Sequence, residues 1–112
     1  MNLVKPTMRE RKRYICFTID GLYDQSVIEN AVFDRILRWI GEKNFGLARL
    51  KVEFVAKTKT HTKVIISSNH IQAQDVRFGI ALVDTIEKKP VKVLVVYVSG
   101  ILKKAKKYLE EN

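Results

Sequence analysis

The stretch LARLKVEFVAKTKTHTKVIISS, residues 47–68, reads as two strands and the turn that joins them. In 47–56, Leu50, Val52 and Phe54 alternate with Lys51 and Glu53, so the apolar side chains share one face of a strand. Lys57-Thr58-Lys59-Thr60-His61-Thr62 is polar and of hairpin length, and 63–68 returns as a second apolar strand.

A helix is predicted on either side of this hairpin. Upstream, Ser26-Val27-Ile28-Glu29 has the spacing of a capping box, in which hydroxyl and carboxylate satisfy two orphan amide donors. Ile28, Val32, Phe33, Ile36, Leu37, Trp39 and Ile40 then cover about half of the helix surface at 100° per residue. Asn30, Asp34, Arg35 and Arg38 form its wet strip, and Gly41, Asn44 and Gly46 predict its end. Downstream, Asn69 is placed to cap a second helix whose apolar members are Ile71, Val76, Ile80, Leu82, Val83 and Ile86, stopped by Lys88-Lys89-Pro90.

Outside the helices lie two more strands. In 13–20, Ile15, Phe17 and Ile19 point one way and Tyr14, Cys16 and Thr18 the other; 91–99 is apolar on both faces except for Lys92, which implies cover on both sides. A short last helix is expected over 101–110. Four strands linked by a helix, a hairpin and a helix make the split βαβ, ferredoxin-like arrangement, an α+β fold with an antiparallel sheet. Two helices cover one face, the other face is expected to stay open, and Ile65 on it suggests a protein interface. Residues 1–12 read as a basic arm and 13–112 as a single domain. RNA-recognition modules share this topology with small-molecule sensors, so topology alone does not choose a function.

Composition narrows the choice. With 112 residues, 46% of them hydrophobic, the chain is long enough for one core and too apolar for disorder. Cys16 is the lone cysteine, which excludes a disulfide scaffold. The longest apolar run, 93–98, is far short of the ~18 residues of a membrane span, and the start has no secretory h-region; a cytoplasmic protein with no membrane role is expected. The 21 Lys and Arg outnumber the 12 Asp and Glu, for a net charge of +9 that points to a polyanionic partner, most often nucleic acid.

No catalytic or metal-binding residue stands out. Cys16 is mid-strand and reads as a small buried hydrophobe; His61 and His70 have no cysteine partner at metal spacing; Asp20 and Asp24 around Gly21 read as an ordinary turn. Phosphate-loop, dinucleotide, zincin and nucleophile-elbow signatures are absent. The basic segments carry more. Lys5, Arg9, Arg11, Lys12 and Arg13 crowd the arm against Glu10 alone. In the last helix Ile101, Leu102, Ala105, Tyr108 and Leu109 form a dry stripe, and Lys103, Lys104, Lys106 and Lys107 form an opposite ridge suited to phosphates. Phosphate contact is expected of Arg9, Arg11, Lys12, Arg13, Lys103, Lys104 and Lys107, with Arg77 a further candidate; Lys57, Lys59 and Lys63 around the hairpin could extend the footprint. The third strand carries no aromatic on which bases would stack, so RNA would be read through arm, helix ends and ridge.

The run Pro6-Thr7-Met8-Arg9-Glu10-Arg11-Lys12-Arg13-Tyr14-Ile15 resembles the opening of the archaeal ribonuclease P protein component 2 family, related to a eukaryotic ribonuclease P and MRP subunit. Asp75-Val76-Arg77-Phe78-Gly79-Ile80-Ala81-Leu82-Val83 is similar to that family too, as is Val98-Ser99-Gly100-Ile101 with its following lysines. The family usually has Ser-Gly-Thr-Ile there; this chain lacks the threonine. The resemblance implies a subunit of the ribonucleoprotein that removes 5′ leaders from precursor tRNA, with the RNA holding the catalytic centre and its Mg²⁺ and the protein binding no cofactor. It further implies a partner, component 3, which resembles a TIM barrel, in a heterodimer that itself pairs. Against this stand a small-molecule regulatory domain of the same topology and a ribosome-associated protein.

Overall fold

The computed structural model describes residues 11–111, and the alternating segment near the start of the chain is its central strand. β1 (Lys12–Asp20) begins at Lys12, so that residue belongs to the sheet rather than to the arm; residues 1–10 lie outside the described residues. The chain continues through α1 (Gln25–Ala48), β2 (Lys51–Lys57), β3 (His61–Asn69), α2 (Ala73–Ala81), β4 (Thr85–Ile86), β5 (Lys89–Pro90), β6 (Val93–Ser99) and α3 (Leu102–Glu111). The main sheet is antiparallel in the order β2-β3-β1-β6. That is the α+β, split βαβ architecture expected, with β4 and β5 as an added two-stranded hairpin.

α1 and α2 lie on one face, over Ile15, Phe17, Ile19, Val64 and Ile66, which pack with Ile28, Val32, Ile36, Val76 and Ile80. The helices cross closely at Gly79, where a Cβ would stand 3.2 Å from the Ile36 backbone. Asn69 joins their ends: its Nδ2 donates to the Leu47 carbonyl at 2.6 Å, and its Oδ1 accepts from the Gln72 amide at 2.8 Å, closing the turn before α2. Asn69 is not the cap expected of it, because α2 starts from Gln72 without a side-chain capping bond.

Several elements differ from the sequence expectation. α1 starts from Asp24 and makes no capping box at Ser26. It bends at Gly41 (φ 85°, ψ 164°) and then resumes to Ala48, because Phe45 stands edge-on to Phe33 with ring centroids 6.1 Å apart and Ala48 is buried. Trp39, counted with the apolar face, is half exposed. α2 ends at Ala81; Leu82 and Val83 turn out of it on i→i+3 bonds, and Val83 and Ile86 reach the core from a loop and a hairpin instead. Their three-residue spacing imitates a helical stripe.

The β4–β5 turn places Glu87 and Lys88 at positive φ (51° and 65°), as a two-residue hairpin turn requires but neither residue prefers. Replacing the pair by Asn-Gly is expected to stabilise the fold by about 1 kcal/mol, seen as a rise of several degrees in Tm. An unchanged or lower Tm would mean that the turn is not strained.

The second face of the sheet is not open. α3 lies across it, with Ala105 and Leu109 buried against Cys16 and Ile65, and Tyr14, Phe54, Val96, Tyr97, Leu102 and Tyr108 around them. Tyr97 and Tyr108 stack with centroids 4.4 Å apart. Two register shifts supply this layer. One beside Glu53 turns Phe54 away from the side that Val52 faces, and one in β6 opposite Cys16 and Phe17 brings both Val96 and Tyr97 under α3. Phe54 therefore does not share a face with Leu50 and Val52, and Ile65 is not available as a protein interface. β6 has the two-sided cover that its sequence demands, supplied by the chain's own helices, except at Leu94, which is exposed.

Candidate nucleic-acid interface

Antiparallel pairing brings the basic segments together. Lys12 lies opposite Asn69, Arg13 opposite Ser68 and Tyr14 opposite Ser99. The arm's exit, the loop after β3 and the turn into α3 thus meet at one end of the sheet. The His70 amide donates to the Arg11 carbonyl at 2.8 Å, extending the ladder. Ser99 shapes the turn: its Oγ accepts from the Ile101 amide at 3.0 Å and donates to the Ile101 carbonyl at 3.1 Å. The Arg13 guanidinium lies against Gly100, its Nη1 3.4 Å from where a Cβ would be.

Of the eight predicted phosphate contacts, Arg9 lies outside the described residues. Arg11, Lys12, Arg77, Lys103, Lys104 and Lys107 are exposed and Arg13 is half-buried. Arg13 and Arg77, from elements far apart in sequence, converge with His70 and Gln74 on a cleft of about 250 Å³. No carboxylate lines it, and among the described residues Arg77 and the His70 ring have no ion-pair or hydrogen-bond partner. Sequence reasoning missed His70 and Gln74 as members of a site; antiparallel register from Asn69 was the signal that would have placed His70 beside Arg11.

The lysines of α3 divide. Lys103, Lys104 and Lys107 are exposed, whereas Lys106 is half-buried and lies 5.9 Å from the centre of the Phe54 ring, a cation–π contact that removes it from the ridge. Ile101 is half exposed rather than part of the dry stripe. The helix has no acidic residue in its first turn and no basic one in its last, so its charges oppose the macrodipole. Helix stability does not ask for Lys103 and Lys104 where they stand.

The hairpin lysines are mostly engaged. Lys57 pairs with Asp24, whose carboxyl is held below its ordinary range by that hydrogen bond and charge, and Lys63 Nζ donates to the Leu109 carbonyl at 2.6 Å, closing the end of α3. Only Lys59 of the three remains exposed without such a contact among the described residues. Asp20 and Asp24 are part of a turn closed by Thr62, which donates to the Gly21 carbonyl at 2.8 Å and accepts from the Tyr23 amide at 3.1 Å. Cys16 is fully buried, and burial pushes its thiol up to about 11. Among the described residues no three His, Cys, Asp or Glu side chains gather where a metal ion could sit, and no helix is long and apolar enough to cross a membrane.

The fold is a split βαβ module whose sheet is covered on both faces and whose Arg11, Lys12, Arg13 and Arg77 lie near one end of that sheet. The chain belongs to the Rpp14/Pop5 family, whose model matches residues 13–110. It is 31% identical over 104 residues to the ribonuclease P protein component 2 of Pyrococcus furiosus, covering 91% of this chain and 85% of that protein. The proteins of the same name from Methanobrevibacter smithii and Methanocaldococcus jannaschii are 25% and 29% identical, covering 99% and 95% of this chain and 98% and 78% of their own lengths. These matches do not favour a small-molecule regulatory domain or a ribosome-associated protein.

Proposed function

We propose that this chain is a protein subunit of ribonuclease P, binding the catalytic RNA and assisting it in removing 5′ leaders from precursor tRNA. The observation that carries the reading is the family match over 13–110 on a fold that gathers Arg11, Lys12, Arg13, Arg77, Lys103 and Lys104 at one end. Such a surface neutralises backbone phosphates and sets register without reading sequence. The chain itself is non-catalytic in this reading. Its lone thiol is buried and held protonated, and the reacting metal, Mg²⁺, is held by RNA rather than by the protein. Arg9, outside the described residues, is proposed to add a further phosphate contact.

The subunit works in the cytoplasm with a second protein, component 3, as a heterodimer that pairs again. Since Ile65 lies under α3, that contact uses another surface. Reconstitution tests the function: precursor tRNA is incubated with the cognate catalytic RNA and component 3 at moderate Mg²⁺, with and without this chain. Cleavage at the leader junction is expected to depend on the chain. A rate unmoved by the chain, with no binding to that RNA, would remove the assignment.

A further inference from the structure

The cleft at Arg13, His70 and Arg77 does not end there. Gln74 and Arg77 also line a second hollow of about 460 Å³, which continues between α2 and β6 past Phe78, Leu94 and Val95. One end of this groove is cationic, with no carboxylate facing it among the described residues. The other is apolar and carries an aromatic ring that is 52% exposed, beside a Leu94 that is 58% exposed. β6 is an edge strand, so its outer backbone groups are not paired within the sheet.

A phosphate, a π-face and a hydrogen-bonding edge are what one unpaired nucleotide presents. We infer that the groove between α2 and β6 seats a single unpaired nucleotide of the bound RNA, its phosphate between Arg13 and Arg77 and its base on Phe78 against β6. Modules of this topology stack bases on the exposed sheet face. Here that face lies under α3, and Phe78 is an exposed aromatic that stands next to the Arg77 guanidinium, which has no partner among the described residues. Two guanidinium groups in one cleft repel one another unless an anion joins them, and the guanidinium fork suits a phosphate. A docked apolar protein segment would satisfy one end of the groove and leave the Arg13–Arg77 end without a counter-charge.

The inference rests on the ribonuclease P reading, and the test separates the two. RNA affinity, its salt dependence and cleavage are measured in the reconstituted complex for the unaltered chain and for Phe78→Ala, Phe78→Trp and Arg77→Ala. Stacking of one base predicts that Phe78→Ala weakens RNA binding by about 5- to 150-fold with an unchanged salt slope, and that Phe78→Trp restores it. Arg77→Ala should lower the slope of log K against log[salt] by roughly 0.7–0.9, as loss of one phosphate contact does. Phe78 is exposed, so the fold should survive its loss, as circular dichroism would verify. If the unaltered chain supports cleavage while Phe78→Ala binds RNA like it, the seat is wrong and the function stands. If Phe78→Ala instead weakens binding of component 3 and spares RNA, the groove is a protein-docking surface. If the unaltered chain does nothing, the function reading fails first.

Discussion

Ala105→Asp is expected to make the Cys16 thiol about a hundredfold more reactive at about pH 8. Ala105 is fully buried at the centre of the layer that α3 forms with the sheet, and its carbonyl is 3.9 Å from Cys16 Sγ, the thiol's hydrogen-bond partner. Ala105 is buried among apolar side chains, and a carboxylate there would cost several kcal/mol to desolvate. α3 is held by a small cluster, chiefly Leu102, Ala105, Tyr108 and Leu109, and a ten-residue helix is marginal by itself in water. The helix therefore leaves the sheet and melts.

The α1–α2 side has its own larger core and does not depend on Ala105. Once uncovered, the thiol returns from about 11 toward its ordinary 9.0, two units that raise the thiolate fraction about a hundredfold. Alkylation rate by mass spectrometry and loss of about one short helix of circular dichroism signal check the result together. A thiol as slow as in the unaltered chain would mean that α3 is not its cover. The same variant should lose RNA affinity, because the lysines of α3 would no longer be fixed on the sheet.

This coupling of cover and charge shows where the sequence was readable and where it was not. Strands and helices with one wet face followed from periodicity: Ile15, Phe17 and Ile19 do share the core side, and Asp34 and Arg38 do pair across one helical turn at 3.1 Å. The dry stripe on α3 was legible too, and it is what covers the sheet. What failed were places where tertiary packing overrides a local signal. Gly41 bends α1 without ending it because Phe45 and Ala48 still have core to fill. The register shift beside Glu53 sends Phe54 to the other face, and nothing in an alternating pattern announces a bulge. Val83 and Ile86 keep helical spacing while lying in a loop and a hairpin. For the interface, residue type singled out Arg13 and Arg77 separately, but only the register and the packing of α2 on β6 bring them to one cleft.

The lysine ridge carries the other large effect. Replacing Lys103, Lys104 and Lys107 by Ala together should flatten log K against log[salt] for RNA by about 2.1–2.7, at roughly 0.7–0.9 for each lost phosphate contact. Extrapolated from 1 M, where counterion release contributes nothing, to 0.1 M salt, a slope change of that size is a loss of roughly 100- to 500-fold in affinity. All three side chains are exposed, so the fold has little to lose by their removal. The first two stand in the opening turns of α3, where the helix dipole disfavours them, so Tm should hold or rise slightly. Lys106 is left in place, since its contact with Phe54 helps to hold α3 down. Lys59→Ala is the matched control: the hairpin lies beyond the Asp20–His61 end of the ladder, while the arm emerges at the Lys12–Asn69 end. Its slope should not move. A triple variant with an unchanged slope would take α3 out of the RNA footprint and leave the arm and the Arg13–Arg77 cleft to carry the binding. A slope that falls equally for Lys59→Ala would mean that the protein attracts RNA by its net charge of +9 and not by a built surface.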